Sequence, residues 1–147
     1  MDDDIPALLP LHQVAPLRTQ ADLHHQWRAM MGPLGFGSRR LWLLFLDPDD
    51  RPTELLMQID DIPDVPREGE TDSLLRLCHE VRREHGLGRV AVLLSRPGEG
   101  PVRASDRRWG RALLASGRRL DVPLAPLHLA HDAAVVPLAG DDLLAVV

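Results

Sequence analysis

Residues 89–120 read RVAVLLSRPGEGPVRASDRRWGRALLASGRRL, and their order decides the fold: an apolar strand, a loop broken by Gly and Pro, then an amphipathic helix. Residues 90–94 are apolar at every position, so both faces of this strand need cover, which places it in the middle of a sheet with helices on either side. In open α/β folds the loop leaving such a strand, aimed at the next helix N-terminus, is where ligands collect. Here that loop holds no histidine, no cysteine and no nucleophile beside a base. It marks a place more clearly than an activity.

Working outward, Ser105 is expected to cap the following helix, with Trp109, Ala112, Leu113, Ser116 and Leu120 inward and Arg107, Arg111 and Arg118 outward. Upstream, Thr71 is expected to cap a helix whose stripe is Leu74, Leu77, Cys78, Val81 and His85, ended by Gly86. Before that helix stand two apolar runs, 41–46 and 53–59, on either side of Asp47-Pro48-Asp49-Asp50, which is the pattern of a β-hairpin. Asp60, Asp61 and Asp64, broken by Pro63 and Pro66, form an acidic connector without the glycine and terminal glutamate of a calcium loop, and read as solvated.

Thr19 and Asp22 form a capping box for a first helix carrying Leu23, Trp27, Met30 and Met31, which Gly32-Pro33 stops. His24 and His25 on it are adjacent and face different directions. The G-x-x-G-x-G of residues 32–37 follows no strand, so a dinucleotide loop is not expected there. Residues 122–130 and 135–138 supply two last strands, which Pro123, Pro126 and Pro137 confine to edge or near-edge places. The order α-β-β-α-β-α-β-β predicts one α/β domain over residues 19–147, a three-layer sandwich with a mixed sheet. Residues 1–18, with Pro6, Pro10 and Pro16, read as an arm lying on the domain or on a neighbour.

Composition narrows the classes. A chain of 147 residues, 44% hydrophobic, suffices for one core, and no apolar run approaches the roughly 20 residues of a bilayer span. Asp2, Asp3 and Asp4 carry the wrong charge for a signal peptide, so a cytoplasmic protein is expected. Cys78 is the single cysteine, excluding an internal disulfide and a cysteine-built zinc site; its helical spacing makes it a core residue. All 17 basic residues are arginine, and lysine, asparagine and tyrosine, whose codons are A/T-rich, are absent. That bias points to a G/C-rich bacterial genome and warns against reading every arginine as a phosphate contact. The net charge of −5 argues against wholesale nucleic-acid binding. Its distribution is uneven: residues 47–72 hold ten acids against two arginines, and residues 89–119 hold eight arginines against two acids. Two solvated faces account for this, as does a dipolar surface suited to head-to-tail association or an anionic partner.

The element order resembles the cytidine-deaminase-like layout shared by deaminases and JAB/MPN metalloproteases. The deaminase signature needs zinc ligands at two helix starts, where this chain has Thr71-Asp72-Ser73 and Pro97-Gly98-Glu99-Gly100. The chain is more similar to the RadC-type branch of the JAB/MPN family, over residues 40–138 with a one-residue gap. Its Leu94-Ser95-Arg96-Pro97-Gly98-Glu99 stands against the family's His-x-His-Pro-Ser-Gly, Ala104-Ser105-Asp106 against the Pro-Ser and Asp at the next helix start, and Val122-Pro123-Leu124 against the Ile-Pro-Leu before the last strands. The resemblance implies a zinc held by two histidines and an aspartate, with an upstream glutamate as general base. Leu94 and Arg96 fall on the histidine positions; Asp106 alone matches, and Glu54 could imitate the glutamate. An arginine in the metal's place repels a divalent ion. The implied protein is a catalytically silent member without metal or cofactor.

The expected site is then an anion or acidic-peptide site at the loop before the helix, built from Arg96, Arg103, Ser105, Asp106, Arg107 and Arg108 around free helix N–H groups. The competing reading pairs these arginines with Asp106, Glu99 and the acidic connector. Two other classes stay open. One is a hydrolase using Glu54, Asp106 and His128; the other is a nucleic-acid-associated protein using Arg107, Arg111 and Arg118, though Trp109 is expected inside and leaves no aromatic for base stacking. His128 and His131, three apart, reach one metal only if a turn begins at Ala130. Exposed sheet edges and the arm make a homodimer an expectation for the partner, beside an unknown protein or anionic ligand.

Overall fold

The computed structural model describes residues 5–138. Residues 1–4 of the expected arm, including the Asp2–Asp4 run, and residues 139–147 of the expected domain lie outside the described residues.

The two apolar runs form the hairpin, β1 (Arg40–Leu46) and β2 (Pro52–Ile59), with Leu44 opposite Leu56. Asp47 makes the turn: its carboxylate accepts from the N–H groups of Asp49 (2.8 Å) and Arg51 (2.9 Å), the local bonding that favours aspartate in turns. Helix α1 (Gln20–Met31) precedes the hairpin and starts in the Thr19–Asp22 capping box. After it come α2 (Glu70–His85), β3 (Val90–Ser95), α3 (Ala104–Arg119), β4 (Leu127–Ala130) and β5 (Val135–Leu138). The sheet runs β2-β1-β3-β4-β5, antiparallel except at β3–β4, so it is mixed and five-stranded.

All six residues of β3 are buried, and their alternation serves two cores. Val90, Val92 and Leu94 join Leu43, Phe45 and Leu129 against Leu75, Cys78, Trp109 and Leu113 of α2 and α3. Ala91 and Leu93 join Leu44 and Leu46 against Leu23 and Trp27 of α1 and Val14 and Leu17 of the arm. Helices thus cover both faces, as the uninterrupted apolar strand requires. The arm lies on its own domain. The Leu17 N–H donates to Asp50 O (2.7 Å), while Arg89, at the foot of β3, donates to Leu17 O (3.0 Å) and to the Asp50 carboxylate (3.0 Å).

Four local expectations are corrected. Helix α2 is capped by Gly69, at φ 77°, where a side chain is disfavoured; Thr71 lies buried in the first turn, its Oγ1 2.8 Å from Ser116 Oγ. Starting there, the inward set is Thr71, Leu75 and Cys78, and Leu77 (48% exposed) and His85 turn to solvent. Helix α3 starts at Ala104 rather than after Ser105, because Asp106 reaches back to accept from the Arg103 N–H at 2.8 Å. Residues 122–126 are not a strand: two prolines leave one parallel bridge, Val90–Leu124, and β4 begins at Leu127, next to the edge strand β5. No helix among the described residues is long and apolar enough to cross a membrane.

Candidate functional site

The chain leaves β3 at Ser95, opposite Arg40 of β1, and the next side chain, Arg96, turns inward. It is 1% exposed and its Nε lies 3.0 Å from both carboxylate oxygens of Asp106, which is fully buried. Nη1 donates to Pro97 O (3.2 Å) and Gly98 O (3.4 Å), and Nη2 to Pro101 O (3.2 Å). The loop of residues 97–101 therefore folds around its own guanidinium. A buried charge demands such saturation, since an unpaired one costs several kcal/mol, of the order found for buried ions. Asp132, in the β4–β5 turn, fixes the loop from outside: its carboxylate accepts from Gly98 N (2.7 Å) and Phe36 N (3.0 Å), and its own N–H donates to Gly98 O (3.0 Å). Those backbone donors, Gly98 first, hold its carboxyl below the usual range.

A second arginine, absent from the sequence reading, completes the cluster. Arg39, 8% exposed, donates from Nη1 to Asp106 Oδ1 (2.9 Å) and from Nη2 to Ser105 Oγ (3.0 Å). Burial pushes the Asp106 carboxyl up, but the donors Arg96, the Arg103 N–H and Arg39 outweigh it, so the group stays ionised below its ordinary value. Two buried guanidiniums thus share one buried carboxylate, leaving a surplus positive charge. Arg39 Nε is buried with no hydrogen-bond partner, and the exposed Asp64 carboxylate stands 3.6 Å from it. Arg39 and Arg96 line a cavity of about 320 Å³ together with Ser38, Ile62, Pro97 and Arg103, with Asp61 and Asp64 on the connector side.

Of the six residues expected in the site, Arg96, Arg103, Ser105 and Asp106 come together. Arg103 is exposed and lies over Gly98, donating to Glu99 O (3.2 Å). Gly98 has φ 89°, a backbone conformation that favours glycine, and Arg103 Nη2 lies 2.6 Å from where a Cβ would stand. Arg107 and Arg108 do not converge with them. Arg107 donates to Val102 O (3.0 Å) and lines a separate cavity with His131, and Arg108 is exposed. The pairing of Arg96 with Asp106 follows the competing reading, whereas Arg103 keeps its guanidinium at the cavity wall. Arg39 has a legible signal only once the sheet is registered: Arg40 pairs with Ser95, which sets Arg39 beside Arg96.

The hydrolase set is not assembled. Glu54 is exposed on β2 and His128 lies on β4, three strand spacings apart, about 14 Å. His128 is fully buried, Nδ1 3.2 Å from Pro126 O and Nε2 without a partner, and burial lowers its pKa. His131 Nδ1 accepts from the Ala133 N–H (3.1 Å), and burial lowers its pKa too. Among the described residues no three His, Cys, Asp or Glu side chains converge as a metal would need. Trp109 is inside, its indole N–H donating to Pro63 O (2.8 Å), so the outer arginine face of α3 carries no exposed aromatic. Compared with known proteins, the chain matches no family model and no curated protein.

Proposed function

We propose that this domain is a non-catalytic interaction module, of the degenerate RadC-type JAB/MPN kind, that holds an acidic peptide segment by its carboxylates at the Arg39–Arg103 cavity. The observation that carries the reading is the buried cluster of two guanidiniums on one carboxylate, with the Arg39 Nε–H unpartnered beneath the cavity. An entering carboxylate gains that donor, the Arg103 guanidinium and the Ser38 hydroxyl, and takes over from Asp64 the charge opposite Arg39. Asp64 at 3.6 Å is the internal stand-in that it displaces. Support for catalytic silence comes from the position of Arg96. The resemblance puts a metal against Asp106, and this chain puts a saturated guanidinium there, with Glu54 remote on β2.

Hexaglutamate titrated into the full chain at low salt, followed by amide NMR, tests the reading. Saturable shifts confined to residues 38–39, 61–64 and 96–106 are expected, weakened at least tenfold by Arg103→Glu, which changes an exposed side chain. No shift there, or equal affinity in R103E, overturns the peptide site. Stoichiometric zinc in protein purified without chelator overturns the metal-free assignment.

A further inference from the structure

A cavity of about 600 Å³ lies at the opposite end of β3 from the arginine cluster. It opens between the C-terminal halves of α2 and α3 and the chain that leads into β4. Its apolar side is Leu114, Val122, Pro123 and Leu124; its polar side is His79, Arg82 and Arg118, with Asp121 at the mouth. The volume falls within the roughly 300–1,000 Å³ of small-molecule sites.

Three features specify the charge of what fits. First, Arg82 is held in place, its Nε donating to Gly88 O at 2.6 Å, while no bond occupies its terminal nitrogens among the described residues. Arg118 is exposed and has no partner among the described residues. Second, the nearby acids are already engaged: Asp72 with Arg119, and Glu80 with Arg83. Asp121 alone is left against two arginines, a surplus of one positive charge. Third, three carbonyls at the helix ends beside the cleft are already engaged and so are less open to a cation. Ser116 O accepts from Leu120 N, Gly117 O from Val122 N and Arg82 O from Leu87 N. His79 Nδ1, buried and unpartnered, adds a polar atom without a mate.

We infer that this cleft binds a small organic monoanion with an apolar body, its charged head between Arg82 and Arg118 and its body against Leu114, Pro123 and Leu124. The head neutralises the surplus charge, and the body removes from water the apolar wall of Leu114, Pro123 and Leu124. This site shares no residue with the Arg39–Arg103 cavity, so either can fail without the other.

Octanoate is the probe, and octylammonium, with the same tail and the opposite charge, is its control. In an amide NMR titration of the full chain, octanoate is expected to shift residues 79–82 and 114–124 saturably, and octylammonium to bind at least tenfold more weakly. Arg118→Gln, at an exposed position, is expected to weaken octanoate at least fivefold with the melting temperature unchanged. Equal affinity for both probes, octanoate shifts centred elsewhere, or unchanged binding in R118Q overturns the assignment. Leu124→Asp gives a second reading through the wall: octanoate affinity unchanged in a folded L124D also overturns it.

Discussion

Replacing Asp106 by asparagine probes the centre of the fold and of the candidate site together. The side chain keeps its shape but loses its charge and half its accepting capacity. With the amide oxygen at the Oδ1 position it can still accept from Arg39 Nη1 and Arg96 Nε, now 2.9 and 3.0 Å away. Its NH₂ then meets the Arg103 N–H, 2.8 Å from Oδ2, donor against donor. Flipping the amide relieves that clash and strands Arg39 instead. Either way two guanidiniums stay buried with only the exposed Asp64 carboxylate, 3.6 Å from Arg39, against them, and removing one partner of a buried pair costs about 3–5 kcal/mol. For a domain of this size that lowers Tm by about 6–20 °C. Urea unfolding monitored by circular dichroism measures it. The double variant Arg39→Met with Asp106→Asn carries one unpaired guanidinium fewer, so its loss should fall short of the two single losses combined, by roughly 0.5–3 kcal/mol. A D106N loss below about 1 kcal/mol, the worth of an exposed pair, refutes the reasoning.

Further expectations follow from other residues. His128 is buried with a lowered pKa, so the unfolded chain takes its proton first as pH falls; stability should be full above about pH 6.5 and decline below it, a slope that His128→Gln flattens in urea titrations at pH 7 and pH 5. Asp106, held below its ordinary value, contributes stability that is complete above the carboxylate range and lost as pH falls through it, so the wild-type chain should lose more stability than D106N between pH 5 and pH 3. Burial pushes the Cys78 thiol up to about 11; at pH 8 a disulfide reagent should label it only at the rate of unfolding, and prompt stoichiometric labelling contradicts its burial. A Cβ on Gly88 would stand 2.7 Å from the Asp47 carbonyl oxygen, whereas one on Gly37 meets nothing within 4 Å. Gly88→Ala should therefore cost about 1–3 kcal/mol by overpacking and Gly37→Ala less than about 0.5 kcal/mol, again by urea unfolding.

Much of the architecture is legible locally, because apolar periodicity reports burial. The run 90–94 is apolar throughout and is the doubly covered strand; the runs flanking Asp47-Pro48 are the hairpin, with Asp47 as its turn acceptor. Boundaries are less so. Ser105 has the chemistry of a cap, but the helix starts at Ala104 because Asp106, bound to two arginines, reaches back to accept from Arg103 N–H, a tertiary advantage that no window of sequence contains. Leu77 fits a helical stripe as well as Leu75 does, and only packing against α3 selects between them. The site is half legible for the same reason. Arg96, Arg103 and Asp106 lie within one strand–loop–helix unit, while Arg39 comes from 67 positions upstream of Asp106 and enters through sheet register.

The loop that wraps Arg96 behaves as a host whose guest is covalently attached. A metal in such a position exchanges with solvent, responds to supply and is stripped by chelators; a guanidinium on its own tether does none of these. Its local concentration is fixed by three side-chain methylenes, and its charge persists across the whole range of pH in which the fold survives. The shape of residues 97–101, and of the cavity wall they build, is thereby written into the chain itself and made independent of what the surroundings provide.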